Sequence, residues 1–190
     1  MKLLLINPKI SLDLSRYPTC PLGLLSIASY LIEKGHTVRI FDNMVEHESI
    51  YKFMKAYNPD VVGLSVISPM ASADAIKISR FAKKLNKPVV WGGHITSALP
   101  ELVFKEGCVD FIVIGEGEIT FSELLDSIKN GGSYEDIDGL AYIDKDGMHI
   151  NKYREFADLS TFPVIDWSLV NPRKYFQYFF GCKKMIYEYF

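Results

Sequence analysis

Residues 58–91, NPDVVGLSVISPMASADAIKISRFAKKLNKPVVW, contain a complete strand–helix–strand unit, and their reading decides the fold. Asn58-Pro59-Asp60 is a turn. The run 61–65 is apolar without alternation, as expected of a strand buried on both faces. A helix is predicted over about 72–85 and a second buried strand over 88–91. Two such strands joined by a helix lie parallel, and the crossover between them is right-handed.

The same alternation extends in both directions. Strands are predicted at 2–6, 37–41 and 111–114, and helices at 21–34, about 48–57, 100–105 and about 118–128. The first helix has Pro21 in its first turn and Gly35 as its stop. Leu22, Leu25, Ala28 (or Ser29) and Ile32 give it an apolar stripe. The chain therefore reads as α/β, a flavodoxin-like (Rossmann-like) doubly wound five-stranded parallel sheet of order 2-1-3-4-5.

After Gly132 the pattern changes, so the sheet domain is placed at 1–132 and an extension at 133–190. Segments 139–144 and 148–152 flank Lys145-Asp146-Gly147, which signals a small β-hairpin. A linker follows around Phe162-Pro163. Residues 175–190 are crowded with Tyr and Phe and stop on an apolar run. The expectation is a truncated chain whose tail packs on a partner domain.

Composition narrows the function. With 48% apolar residues the chain has ample material for a core, and a net charge of −2 offers no electrostatic footprint for nucleic acid or an anionic membrane. The apolar run 3–6 is followed by Asn7-Pro8 and fits a buried strand better than a secretory leader. No apolar stretch approaches the roughly 20 residues of a membrane span. A cytoplasmic protein is expected. Cys20, Cys108 and Cys182 are scattered, with no metal-ligand spacing and no disulfide framework, so no metal site is expected.

In an open parallel sheet, ligands bind beyond the carboxyl ends of the strands. Four loops lie there. Loop 8–20 follows Asn7 and contains Pro8, Lys9, Asp13 and Arg16 but no glycine, so it is no phosphate cradle. Nor does it carry the aspartate cluster of a phospho-accepting receiver, since Asn7 stands at the end of the first strand. Ser65, Ile67 and Ser68 follow the third strand; a serine there either meets a polar ligand edge or caps the next helix. Gly92-Gly93 precedes His94 and Thr96. The glycines either let something large approach the backbone or form a tight turn, and His94 either touches a ligand or is solvated. Gly115-Glu116-Gly117-Glu118 lacks the third glycine of a dinucleotide fingerprint, and its carboxylates would repel a phosphate. They either accept hydrogen bonds from ligand amides or cap the helix.

With these loops in view, the chain resembles the N-terminal B12 (cobalamin)-binding domain of cobalamin-dependent radical-SAM proteins, the group that includes anaerobic magnesium-protoporphyrin IX monomethyl ester cyclase. The stretches that carry the resemblance are 21–28 (PLGLLSIA), 33–38 (EKGHTV), 60–67 (DVVGLSVI), 92–94 (GGH) and 115–118 (GEGE), in family order. The resemblance implies that Ser65, Ile67, Gly92 and Gly93 line a slot for the dimethylbenzimidazole tail of the corrinoid. Glu116 and Glu118 would lie near the edge of that cleft.

Methionine-synthase-type domains carry a cobalt-ligating histidine in an Asp-x-His-x-x-Gly loop after strand one. No histidine precedes His36 here, so the cobalamin is expected base-off with no protein histidine on cobalt. S-adenosylmethionine and a 4Fe-4S cluster would belong to a missing C-terminal radical-SAM module. Its CxxxCxxC motif is absent, because no second cysteine follows Cys182. The fragment alone has no catalytic residues on this reading; the full-length protein would act on a small-molecule substrate by methyl transfer, cyclisation or rearrangement. Two alternatives stand beside it: a scaffold or interaction domain that has lost the corrinoid, and a free-standing sensor or sugar-nucleotide binder.

Overall fold

The computed structural model describes residues 1–10, 18–179 and 182–185. Parallel strands β1 (Lys2–Asn7), β2 (Thr37–Asp42), β3 (Val61–Ser65), β4 (Val89–Gly92) and β5 (Phe111–Val113) lie in the order 2-1-3-4-5. The helices are α1 (Leu22–Glu33), α2 (Ile50–Tyr57), α3 (Pro69–Lys84), α4 (His94–Ala98), α5 (Pro100–Phe104) and α6 (Glu118–Asn130).

Because successive side chains in a strand point to opposite faces, the wholly apolar β1 feeds two cores. Leu4 and Ile6 pack with α2, α3 and α5, whereas Leu3 and Leu5 pack with α1 and α6. The other central strands divide in the same way: Val62, Leu64, Val89 and Trp91 face the first core, and Val61 and Val90 the second. This explains why these strands read as continuous apolar runs.

The sheet has seven strands, two more than the sequence reading expected. The hairpin β6 (Leu140–Asp144) and β7 (Gly147–Ile150) joins β5 antiparallel and extends the order to 2-1-3-4-5-6-7. Leu140, Ala141 and Tyr142 are buried, with Leu140 and Tyr142 in one core and Ala141 in the other. The pairing also gives partners to the backbone groups of β5, which would otherwise form an open edge.

Two local differences lie at the carboxyl ends of the strands. Helix α3 starts at Pro69, three residues before the expected start, because Ser68 is its N-cap and accepts from the Met70 N–H. Residues 94–98, expected as loop, form α4, opened by the Ser97 N–H donating to the Gly93 carbonyl.

Residues 151–176 run as a strap with three short 3-10 turns, Leu159–Thr161, Trp167–Leu169 and Pro172–Tyr175. It is tied down along its whole length. Arg154 donates to Thr120 and pairs with Glu123 on α6, and the Ala157 N–H donates to Glu116. The Phe162 ring meets Tyr30 edge-on at 5.4 Å, and the Asp166 N–H donates to Ser29 on α1. Tyr175 donates to Asp42 at the end of β2. A small antiparallel pair follows, β8 (Phe176–Phe179) and β9 (Cys182–Met185). Asp13, Arg16 and the last residues of the aromatic tail lie outside the described residues.

Candidate functional site

The site is formed by small residues on one face of the two central strands. On the face of β3 turned to α1 and α6, positions 61, 63 and 65 are Val, Gly and Ser; on β4, positions 90 and 92 are Val and Gly. Toward the carboxyl ends the side chains thus dwindle, and a narrow slot, partly open to solvent, lies there between sheet and helices. Leu24 and Ile27 of α1 and Phe121 of α6 form its outer wall, with Leu5 and Val113 on the sheet side. Gly63 lies close against its neighbours: a Cβ there would lie 2.8 Å from Leu5 Cδ2 and 3.2 Å from Phe121 Cε1, so these side chains would have to shift.

The adjacent glycines have different jobs. Gly93 has φ +108°, and a Cβ on it would sit 2.8 Å from the Val66 carbonyl oxygen, so the turn itself demands glycine. A Cβ on Gly92 would meet nothing closer than the Val113 oxygen at 3.9 Å, and its open side lines the slot. Ser65, the register partner of Gly92, stands at the mouth. Its hydroxyl has no hydrogen-bond partner among the described residues.

Ser65 also borders a second, wider pocket at the strand ends, open to solvent. Asn7, Pro8, Ile67 and Ser68 line this pocket together with Met44 and Pro21. Gly115 and Gly117 line the first slot. The sequence-derived residues therefore gather around two adjoining pockets at one end of the sheet.

Four of them have other attachments. Thr96 is fully buried and donates to the Gly93 carbonyl at 2.7 Å, which closes the turn, and it lines neither pocket. His94 is exposed as the first residue of α4. Glu118 is buried and accepts from Ser26 at 2.6 Å, tying α6 to α1 beside the slot mouth. Glu116 accepts the Ala157 N–H at 3.0 Å and anchors the strap. These carboxylates serve the frame of the slot, and neither lines it.

Residues 8–125 match the family described as B12 binding domain. The chain belongs to the B12-binding domain family. An uncharacterized methyltransferase of Pyrococcus horikoshii is 32% identical over 185 residues, covering 92% of this chain and 40% of the relative. The anaerobic magnesium-protoporphyrin IX monomethyl ester cyclase of Synechocystis is 31% identical over 190 residues, covering 94% of this chain and 38% of the relative. The chain thus spans less than half the length of these curated relatives. The fold is shared with solved structures: the radical S-adenosylmethionine methyltransferase TsrM of Kitasatospora setae (TM-score 0.68, 22% identity, 79% of this chain and 30% of that one) and the cobalamin-dependent enzyme OxsB (TM-score 0.70, 23% identity, 81% and 22%). The chain is thus a B12-binding-family module similar to curated proteins named as a methyltransferase and a cyclase, and the reading as a scaffold without a corrinoid is not favoured.

The B12-binding domain holds further site residues that the sequence reading missed. Gly63 was legible in principle, since it stands two residues before Ser65 and so shares its face. Leu24, Ile27 and Phe121 reach the slot from helices, where an apolar residue carries no local mark of ligand contact. Asp42 is 2% exposed and accepts from Tyr175 at 2.8 Å, from the Met44 N–H at 2.9 Å and from Asn7 at 3.1 Å. Burial holds its carboxyl above the usual aspartate range although these donors pull it down. Burial, then the Asp42 charge, pushes the Tyr175 phenol far above its usual range, so it stays a donor. Burial also pushes the neighbouring Cys20 thiol up to about 11, which leaves it inert.

The donor set fits a corrinoid tail. An apolar slot with a glycine floor suits a flat aromatic base, and a hydroxyl at the mouth with no partner among the described residues suits its polar edge.

Proposed function

We propose that this domain takes cobalamin base-off, with the dimethylbenzimidazole tail held in the slot by Gly63, Ser65 and Gly92 and no protein histidine on cobalt. The observation that carries the reading is the coincidence of small residues on one face of β3 and β4 with a Ser65 hydroxyl that has no partner among the described residues. The loop after β1, where such a histidine would stand, contains none. When bound, the corrinoid would carry a methyl group or assist a radical step; the chain's own residues exclude water from the tail and fix its orientation.

The larger reading is that residues 1–132 hold the corrinoid and 133–190 lead to a C-terminal radical-SAM module. That module would bring S-adenosylmethionine, a 4Fe-4S cluster and the site for a small-molecule substrate. The greater length of the relatives supports this, as do their names, methyltransferase and cyclase. The strap also exposes large apolar side chains, Phe156 at 94% and Val164 at 91%, as a surface awaiting a partner would. No helix among the described residues is long and apolar enough to cross a membrane. A cytoplasmic location belongs to the same reading, and the N-terminal apolar run is β1 in the sheet interior.

The test is titration with hydroxocobalamin, followed by visible spectrum and by retention through gel filtration, for the wild type and Gly92→Trp. Stoichiometric retention that the variant loses is expected. Retention unaffected by Gly92→Trp would remove the slot from the reading, and no retention at high micromolar cobalamin would remove the cofactor from this chain.

A further inference from the structure

Asp42 ends β2 beside Asn7, its register partner at the end of β1. A buried carboxylate is an expensive way to fill a core, so its donors indicate its role. Two of the three, Asn7 and the Met44 backbone, belong to residues that line the second pocket. The third, Tyr175, lies 133 residues further along, at the end of the strap. Tyr175 is 1% exposed and packs on Cys20 and Leu25. Cys20 in turn precedes Pro21, another residue of the pocket wall. One side chain therefore holds two parts of the cleft wall and the far end of the strap.

We propose that Asp42 is a positioning residue that couples the cleft to the strap, so that cobalamin binding and docking of residues 168–176 favour each other. The proposal rests on the reading that cobalamin binds at this end of the sheet with its tail in the slot, and adds that the bound corrinoid also covers the adjoining pocket lined by Asn7 and Met44. A ligand that orders Asn7 and Met44 orders the carboxylate they bind, and the ordered carboxylate is a better acceptor for Tyr175. By linkage, a docked Tyr175 strengthens ligand binding by the same factor. The strap would then report the state of the corrinoid site to whatever follows it in the chain. The Lys174–Glu46 pair, at 2.6 Å, holds the same segment from the surface, and neither residue lines either pocket of the cleft. It provides an internal control.

The test uses this chain with two readouts: hydroxocobalamin affinity from the visible spectrum, and hydrogen exchange of amides 168–176 with and without hydroxocobalamin. In the wild type, cobalamin should slow exchange in this segment. Tyr175→Phe, which removes one oxygen and keeps the ring, should weaken binding about tenfold and abolish the effect of cobalamin on exchange. Lys174→Ala should leave affinity within about twofold and preserve the exchange response. Asn7→Ala approaches the link from the cleft and should make exchange at 168–176 insensitive to cobalamin, although Asn7 does not belong to that segment. A folded Tyr175→Phe protein with wild-type affinity, or an unchanged exchange response in Asn7→Ala, would overturn the coupling and leave Tyr175 a mere staple. A wild type that retains no cobalamin would overturn the cleft reading and the coupling with it; it is told apart because it shows before any variant is compared.

Discussion

Ser65 and Gly92 are register partners at the carboxyl ends of β3 and β4, and both line the slot between the sheet and helices α1 and α6. A hydroxyl and a bare backbone thus stand side by side where the sheet opens. Ser65→Ala removes only the hydroxyl from a half-buried position with no other partner among the described residues. Thermal stability should stay close to wild type, while cobalamin affinity falls about threefold to tenfold, the worth of one neutral hydrogen bond. Spectroscopic titration beside a thermal melt separates the two quantities.

Gly92 and Gly93 should respond in opposite ways. Gly92→Leu has room for its Cβ and an ordinary φ, so the fold should survive while the side chain fills the slot and cobalamin is no longer retained. Gly93→Ala meets both a φ of +108° and the Val66 carbonyl at 2.8 Å. Strain of roughly 1–3 kcal/mol or more should lower Tm by several degrees. Circular dichroism melts and cobalamin retention, measured on both variants, check the pair.

The buried indole of Trp91 donates to Ser79 on α3 at 2.8 Å, and both residues are at most 1% exposed. Ser79→Ala leaves this N–H without its acceptor inside the core. Urea unfolding should show a loss of about 1–3 kcal/mol, with cobalamin binding unchanged because the pair lies on the sheet face away from the slot.

Asp42 should leave a signature in the pH dependence of stability. Burial raises its carboxyl above the ordinary 3.8, and the hydrogen bonds from Met44, Tyr175 and Asn7 only partly offset this. The folded chain therefore binds the proton more tightly than the unfolded chain in the window above 3.8. Stability from this group is present at low pH and is lost as pH rises through the raised value. Relative to Asp42→Asn, the wild type should lose stability from about pH 4 upward. A difference that grows in favour of the wild type over that range would contradict the assignment.

Much of this was legible from the amino-acid order. The apolar runs at 2–6, 61–65 and 88–91 and the helices between them follow from local periodicity, and the order 2-1-3-4-5 was expected as the commonest five-stranded arrangement with right-handed crossovers. The glycine and serine positions marked the loops that gather at the strand ends. What each residue does there was open until the backbone was in place: Ser68 caps α3, whereas Ser65 faces the slot, and of the two glycines that line it only Gly93 is demanded by the turn, whereas Gly92 leaves room for a side chain.

By itself, then, the sequence determined the parallel α/β sheet and the end of it at which a ligand would sit, because periodicity and turn chemistry act over a few neighbouring residues. Tertiary structure alone decided that the hairpin 140–150 completes the sheet beside β5, that Glu116 and Glu118 are spent on Ala157 and Ser26, and that Asp42 meets Tyr175. Each of these is a contact between distant parts of the chain, satisfied by a partner that no short stretch specifies. A lone carboxylate, phenol or edge strand reads the same in sequence whether water or the protein itself completes its hydrogen bonds.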